Sequence, residues 1–226
     1  GKRQQIAKTN RKYILDNFSS NVIGNKYNNL INNLNFNSSN YWENRYAKGG
    51  NSGSGSYGNL EIFKTETINH ILEKYNLCSV IELGCGDGNQ LKNIDYKNYK
   101  GFDISKTAIN LCKKKYYNNK NLSFELTKNY NGETSNLTLS LDVIFHLTEE
   151  NVFNNYMKLL FNASEQFVLI YSSNTDIQID EEVKHFKNRK FIDWITKNFI
   201  NFELIEKIPN KYPYNRKLNT GSVSDF

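Results

Sequence analysis

The sequence predicts an α/β fold built on a parallel sheet, and three observations lead to this prediction. The β-branched pair Val80 and Ile81 is typical of a buried strand, and this strand runs into a turn with three glycines at alternate positions from Gly84. A second short strand begins near Tyr99 and ends in Asp103, 19 positions after Gly84. A strand, a glycine-rich turn and a carboxylate at about this distance are typical of a βαβ unit that binds a nucleotide.

The glycine turn has the chemistry of an anion site. Glycines reach backbone angles that are closed to other residues, so the chain can turn sharply while its amides face a ligand. The segment that follows, 89–92, is predicted to begin a helix, and the free N–H groups and positive dipole end of a helix favour an anion. The dinucleotide fingerprint would require glycine at position 89, where the chain has Asn89. The pattern therefore indicates a different kind of nucleotide cofactor.

The stretch Glu82-Leu-Gly-Cys-Gly-Asp-Gly88 resembles motif I of the class I S-adenosylmethionine-dependent methyltransferases, and Gly101-Phe-Asp-Ile-Ser105 resembles their motif II. The resemblance covers residues 41–226. It implies a Rossmann-like fold, with a seven-stranded, mostly parallel sheet, helices on both faces and an antiparallel hairpin at one edge. It also implies S-adenosylmethionine as cofactor and S-adenosylhomocysteine as product. A purely structural glycine turn and a site for another nucleotide are the alternatives.

The same resemblance implies which residues hold the cofactor, with Asp103 as acceptor for the ribose hydroxyls. The residues expected to bind it are Trp42, Arg45, Ser54, Glu82, Gly84, Cys85, Gly86, Gly88, Gln90, Asp103, Ile104, Ser105, Leu141 and Asp142. Class I enzymes often place an acid after the third strand for the adenine amine. This chain has Thr127-Lys-Asn-Tyr130 there, so a backbone carbonyl or Asn129 would have to serve instead.

Composition limits the classes of protein to consider. The chain has 226 residues, enough for one domain with a full core and a small N-terminal addition. It shows no secretory signal pattern and no apolar run near the ~18 residues that cross a membrane. Cys78, Cys85 and Cys112 lack metal-ligand or disulfide spacing, so we expect no metal and a reducing, cytoplasmic location. The net charge of +6 fits a phosphorylated small molecule, a nucleic acid or simply a lysine-rich surface.

Residues 1–40 are expected to form a helical extension that caps the active site or makes a dimer contact, and residues 41–226 to form the methyltransferase domain. The domain opens with Tyr41-Trp-Glu-Asn-Arg-Tyr46, whose aromatic and arginine side chains share one side of a helix by their spacing. The glycine- and serine-rich stretch 49–58 follows it. We predict that this stretch is a lid over the cofactor, with a flexible surface loop as the alternative.

Residues 41–58 also indicate a particular subgroup within the class I methyltransferases. Tyr41-Trp-x-x-Arg-Tyr followed by Gly49-Gly-Asn-Ser-Gly-x-Gly-Ser-Tyr-Gly58 is similar to a subgroup of small bacterial class I methyltransferases linked to surface-polysaccharide modification. By that resemblance, the loop covers the methionine end of the cofactor. Arg45 would pair with the cofactor carboxylate in the bidentate geometry that a guanidinium favours.

The rest of the chain alternates between helix and strand patterns. Ser105 is predicted to cap a helix that ends in Lys113–Lys115, whose charges complement the helix dipole. Three further helices are predicted, at 60–76, 151–161 and 191–199. Four further strands are predicted, at Leu122–Leu126, within 137–147 (a range that includes the turn leaving the strand), at 166–171 and at 202–208. The chain reaches Phe226 where the family's last strand would begin, so we expect it to be trimmed there.

The exit of the fourth strand carries the predicted catalytic pair. Asp142 and His146 are four residues apart and share a face if the chain turns helically there. A histidine can take a proton from a hydroxyl acceptor, with Asp142 orienting it, and a packed or capping histidine is the alternative. The Asn/Asp-Pro-Pro-Tyr and Pro-Cys sequences that the amino-directed and cytosine DNA methyltransferases carry are absent.

The acceptor side is predicted from aromatic and basic residues near the expected strand ends. The candidate substrate residues are Tyr46, Tyr57, Tyr171, Ser172, His185, Arg189 and Lys190, with a further loop at 212–216. An anionic acceptor would need no base, because Arg45, His185, Arg189 and Lys190 would position its charge.

The leading hypothesis is methyl transfer to an oxygen of a small, polar, anionic acceptor, a precursor of capsular polysaccharide or lipopolysaccharide. A phosphoramidate or nucleotide-linked phosphoramidate group is a narrower hypothesis from the subgroup resemblance. A tRNA or rRNA methyltransferase is the second class, although no RNA-binding module is seen. A catalytically silent cofactor-binding partner is the third. We expect a monomer or homodimer, without nucleic acid or membrane as partner.

Overall fold

The computed structural model describes residues 36–178 and 183–226, and eight positions of the N-terminal stretch: Tyr13, Leu15, Asp16, Ser19, Ser20, Val22, Ile23 and Gly24. The chain divides into two compact units, residues 1–37 and 38–226. In the first unit the described residues are mostly helical, and the Ile23 N–H donates to the Ser19 carbonyl at 2.9 Å. Most of the helical extension predicted over residues 1–40 lies outside the described residues.

The second unit is built on five parallel strands. They are β1 (Val80–Leu83), β2 (Tyr99–Asp103), β3 (Leu122–Leu126), β4 (Ser135–Leu141) and β5 (Ser164–Tyr171). Their order in the sheet is β3-β2-β1-β4-β5, with every neighbouring pair parallel. The chain moves outward from β1 first to one side and then to the other. Ligands bind in open α/β sheets at the carboxyl ends of the strands where the direction reverses, here between β1 and β4.

Among the described residues of the second unit, five α-helices accompany the sheet. They are α1 (Ser38–Ala47), α2 (Gly58–Lys74), α3 (Lys106–Lys115), α4 (Glu150–Asn162) and α5 (Phe191–Asn198). Successive residues of a strand point to opposite faces, so Val80 packs with α2 and α3 while Ile81 packs with α4 and α5. The predicted Rossmann-like arrangement, a parallel sheet with helices on both faces, is confirmed.

Local signals set the ends of several elements. The Ser105 hydroxyl accepts the Ala108 N–H at 3.0 Å, which is the predicted cap of α3. The helix expected after the glycine turn is a short 3-10 helix, Asn89–Asn93, and the exit of β4 forms a second one, Ile144–His146. None of the helices in the described part of the chain is long and apolar enough to cross a membrane.

The strand predicted over residues 202–208 does not form. Residues 203–207 are exposed, and backbone pairing is seen at Ile208, which exchanges two hydrogen bonds with Phe226 at 2.8 and 3.1 Å. Asp225 in turn bridges Ser172 in the antiparallel direction. Apolar residues do not make a strand without a neighbour for the backbone groups, so among the described residues the sheet has five strands and not the expected seven.

Candidate active site

A cavity of about 330 Å³ lies at the carboxyl ends of the central strands. It is lined by residues of α1, the glycine turn and the ends of β2 and β4, elements that are distant in sequence. The predicted site residues that line it are Trp42, Tyr46, Glu82, Gly84, Cys85, Gly86, Gln90, Asp103, Ile104, Leu141, Asp142 and His146. Most of the predicted cofactor residues are therefore brought together at the switch point of the sheet.

The glycine turn is hydrogen-bonded to the buried carboxylate of Asp103. Gly84 and Gly86 have φ values of +86° and +56°, in the left-handed region that other residues rarely adopt. The Gly86 N–H donates to Asp103 Oδ2 at 2.9 Å, and the Ser105 N–H donates to Asp103 Oδ1 at 2.8 Å. Each oxygen of this buried carboxylate thus keeps a lone pair for a ligand, which suits the two hydroxyls of a ribose. Burial raises the pKa of Asp103 to about 6.

Two more groups of the cavity wall are suited to a polar ligand. Gln90 donates through Nε2 to the Glu61 carbonyl and Thr65 Oγ1, both at 3.0 Å. Its Oε1 is buried and has no hydrogen-bond partner among the described residues, so it can accept from an ammonium group. Glu82 accepts from the Tyr99 hydroxyl at 2.6 Å, and burial raises its pKa to about 7.

Helix α1 is fixed over the cavity by a carboxylate that the sequence analysis did not single out. Glu43 accepts from the Ser105 and Thr107 hydroxyls at 2.7 and 2.6 Å, and from the Thr107 N–H at 3.2 Å. The hydroxyl of Thr107, then that of Ser105, lowers the pKa of Glu43. This anchor ties the helix that carries Trp42 to the turn that follows Asp103.

The serine- and glycine-rich loop is fastened to the glycine turn by Asp87. Its Oδ2 accepts from the Ser52 N–H and the Tyr57 hydroxyl, both at 3.0 Å, and its N–H donates to Ser52 Oγ at 3.1 Å. Asn89 adds a bond to the Ser56 carbonyl at 2.7 Å. A Cβ on Gly86 would lie 2.4 Å from Ser52 Oγ. The loop therefore covers the glycine turn, at the position where the sequence predicts a lid.

Arg45, which the resemblance assigns to the cofactor carboxylate, is not among the residues that line the cavity. Its Nε donates to the Asn51 carbonyl at 2.7 Å, and its guanidinium stands 5.7 Å from the centre of the Trp42 ring. Among the described residues that line the cavity, the only lysine or arginine is Lys64. This lysine is 1% exposed, and its Nζ lies 2.6 Å from Asp142 Oδ2.

His146 is oriented by a backbone carbonyl and not by Asp142. Its Nδ1 lies 2.7 Å from the His185 carbonyl oxygen, while Asp142 is bound by Lys64. The ring also meets the Trp42 ring edge-on, with 4.7 Å between centroids. Burial lowers the pKa of His146 to about 4. The imidazole is thus neutral near pH 7 and held rigidly against the cavity.

The predicted acceptor residues are scattered. Tyr57 is bound to Asp87, and Tyr171 is fully buried with its hydroxyl accepting from Asn210 at 2.6 Å. The His185 ring stacks on Tyr41, with 4.6 Å between centroids. Six further predicted residues lie outside the cavity lining: Ser54, Gly88, Ser105, Ser172, Arg189 and Lys190.

Two of the basic residues predicted to position an anionic acceptor, Arg189 and Lys190, are engaged in ion pairs. Arg189 is buried, lies 3.3 Å from Glu150 and stacks over the Phe153 ring at 4.6 Å. Lys190 faces Asp176 at 3.8 Å. The Arg189 contacts tie the segment after β5 to α4.

The stretch after β3 contributes Thr127 to the cavity. Asn129, which was one candidate for the adenine amine, does not line the cavity, and its Nδ2 donates to Glu125 Oε1 at 2.7 Å. A backbone carbonyl is left as the predicted acceptor for that amine.

Most of the residues that line the cavity lie within a segment that matches a known protein family. Residues 81–162 match a protein family described as "Methyltransferase domain". No curated protein sequence matches the chain. The match runs from the second residue of β1 to the end of α4, and it contains the glycine turn, β2, β3, β4 and most of the residues that line the cavity.

Solved structures with a similar fold are also methyltransferases. The methyltransferase domain of bacterial CtHen1-C is 20% identical, with a TM-score of 0.57 over 74% of this chain and 96% of that one. The N-methyltransferase NodS from Bradyrhizobium japonicum WM9, in complex with S-adenosylhomocysteine, is 12% identical, with a TM-score of 0.61 over 76% and 90%. The TM-scores show the shared fold, and the family match locates the methyltransferase-like sequence in residues 81–162, about a third of the chain. The chain is an S-adenosylmethionine-dependent methyltransferase with the class I fold.

Proposed function

We propose that the enzyme transfers the methyl group to an oxygen of a small polar acceptor, with His146 as general base. The observation that carries the proposal is the contact of Nδ1 with the His185 carbonyl at 2.7 Å. A carbonyl oxygen has no proton, so Nδ1 must carry one, and in the neutral ring Nε2 keeps its lone pair. His146 lines the cavity, where that lone pair can take the proton of an acceptor hydroxyl.

The charge state leaves the ring free to accept a proton, and the low pKa that burial imposes also makes it a weaker base than an ordinary histidine. Because burial holds the pKa of His146 at about 4, the ring is in its proton-accepting form across the physiological range. The imidazolium formed by proton transfer is unstable in this buried site, and the proton is released once the product leaves. General-base catalysis of this kind contributes roughly 10²–10⁴-fold to rate.

The cofactor, when bound, supplies a methyl group on a sulfonium centre that is already an activated electrophile. The residues of the chain then have to bind, orient and exclude water. Asp103 would accept the ribose hydroxyls, and Gln90 Oε1 would accept from the amino group. The predicted lid over Gly86 keeps water from the reacting groups, and rigid walls hold the acceptor in line.

Surface-polysaccharide precursors are the acceptor class to test first. This choice rests on the resemblance of residues 41–58 to small bacterial enzymes of that kind, and phosphoramidate groups belong to the same screen. Negative charge on the acceptor is a weaker expectation, because Arg189 and Lys190 are engaged with Glu150 and Asp176. NodS is described as an N-methyltransferase, so amine acceptors form the comparison set.

The experiment is an acceptor screen that measures S-adenosylhomocysteine formation, with the wild type and His146→Ala side by side. Sugar phosphates, nucleotide sugars and phosphoramidates form one pool, simple amines a second and total tRNA a third. The proposal predicts turnover in the first pool and its loss in the variant, with cofactor affinity kept. Turnover with amines or tRNA alone, or undiminished turnover in the variant, would refute it.

A further inference from the structure

We infer that Lys64 is a positioning residue of the methyl-transfer site, and that it acts by fixing the carboxylate of Asp142 at the cavity wall. Lys64 lies on α2, 78 positions before Asp142 in the sequence, yet its Nζ is 2.6 Å from Asp142 Oδ2. A lysine that is 1% exposed has lost nearly all its hydration, and such a burial persists only where a partner compensates for it.

Asp142 is held in an unusual conformation. Its φ is +58°, in the left-handed region that costs a non-glycine residue strain, and its N–H donates to the Tyr171 carbonyl at 2.9 Å. The lid lies directly against it, since a Cβ on Gly55 would come within 2.7 Å of Asp142 Oδ2. Strained backbone of this kind persists where several neighbouring contacts hold it in place, and the ion pair with Lys64 is one of these contacts.

Lys64 is itself fixed by its surroundings. Its ammonium stands 5.2 Å from the centre of the Tyr171 ring, and Tyr171 is fully buried. A cation over an aromatic face is attracted by the ring quadrupole, more strongly where water is excluded. The Lys64 ammonium is therefore held by Tyr171 at the end of β5, and it donates a hydrogen bond to Asp142 just after β4.

The consequence is a single defined carboxylate geometry. With Oδ2 bound by Lys64, the other oxygen of Asp142 is left for a ligand in the cavity that both residues line. An amino group of the cofactor is the ligand of matching charge. This inference rests on the proposed function of the cavity, and it gives a role to the one cation in the described cavity lining.

The test is a double-mutant cycle read by calorimetric titration with S-adenosylhomocysteine. The variants are Lys64→Met, Asp142→Asn and the two combined, with Lys64→Arg as the conservative variant. Lys74→Met on the same helix, an exposed lysine paired with Glu206 at 3.0 Å, is the matched control. Thermal melts establish that each variant is folded.

If Lys64 acts through Asp142, Lys64→Met weakens binding by roughly tenfold to a hundredfold, as loss of one charged hydrogen bond would. Lys64→Arg recovers part of that loss, Lys74→Met has no effect, and the combined variant binds no worse than Asp142→Asn alone. Equal affinity of folded Lys64→Met and wild type would overturn the inference, and so would additive losses, which would mean direct contact with the ligand.

Two outcomes keep the test decisive. If Lys64→Met does not fold because it leaves Asp142 charged and unpaired, the comparison of Asp142→Asn with the combined variant still applies. In Asp142→Asn the introduced amide oxygen can still accept a hydrogen bond from the buried Lys64 ammonium, and the combined variant removes both charges. A further loss in the combined variant would again overturn the inference. A wild type that fails to bind S-adenosylhomocysteine would instead refute the proposed function of the cavity.

Discussion

The buried carboxylate of Asp103 makes a prediction about cofactor affinity and pH. Its pKa is raised to about 6 by burial, and a ribose diol that donates to both oxygens binds the ionised form best. Cofactor affinity should therefore be constant above pH 7 and fall as the pH drops through 6, by at most tenfold per pH unit. About one-tenth of Asp103 is ionised at pH 5, so we expect roughly tenfold weaker binding there.

The sign for stability is opposite. Because the folded pKa of Asp103 lies above its ordinary value of 3.8, the folded state binds the proton more tightly than the unfolded state. The contribution of this group to stability thus rises as the pH falls through 6. Acid should therefore weaken binding without destabilising the fold through Asp103, which separates this effect from simple acid unfolding.

The assay is calorimetric titration with S-adenosylhomocysteine between pH 5 and 8. Asp103→Asn removes the charge and should cost roughly 1.5–3 kcal/mol of binding free energy with a flat pH profile. Asp95→Asn, at an exposed aspartate, should behave as wild type. A flat wild-type profile would refute the reasoning. A slope that persists in Asp103→Asn would assign the titration to Glu82, whose pKa burial raises to about 7.

Three further predictions concern the lid and the base. Gly86→Ala should destabilise the fold by at least ~1–2 kcal/mol in urea denaturation, because its φ is +56° and a Cβ would meet Ser52 Oγ at 2.4 Å; an unchanged midpoint would contradict this. Glu43→Ala removes the acceptor of three hydrogen bonds that tie α1 to the turn after Asp103, so limited proteolysis within residues 38–57 should become faster; cleavage at the wild-type rate would show that the anchor does not hold this segment. His146→Ala should lower turnover roughly 10²–10⁴-fold at saturating cofactor while S-adenosylhomocysteine affinity stays within about twofold. Wild-type turnover under the same conditions should fall only as the pH approaches 4, and a loss centred near 6.5 would contradict the assignment.

The parts of the site that the sequence predicts are those encoded locally. The strand, the glycine turn and Asp103 follow one another within 24 residues, and backbone conformation alone brings Gly86 to Asp103 at 2.9 Å. The cap on Ser105 is likewise a contact across three residues. Such short-range features depend on residue type and spacing, which the sequence displays directly.

Long-range partners were not predictable in the same way. Lys64 has the sequence context of an ordinary helix lysine, and only the packing of α2 against the ends of β4 and β5 buries it. Glu43 stood within the aromatic stretch that drew attention, yet its partners lie more than 60 positions away. Arg45 was assigned by resemblance, but the geometry of the following loop turns its Nε to the Asn51 carbonyl. The strand expected at 202–208 failed because strand formation depends on a neighbour that local pattern does not report.

The central claim is that the cavity at the carboxyl ends of β1, β2 and β4 binds S-adenosylmethionine through Asp103. The most direct measurement is calorimetric titration of the wild type with S-adenosylhomocysteine, beside NAD and beside the Asp103→Asn variant. We predict micromolar binding of S-adenosylhomocysteine, no binding of NAD, and a loss of affinity in the variant. Absence of S-adenosylhomocysteine binding, or an affinity that Asp103→Asn leaves unchanged, would contradict the account.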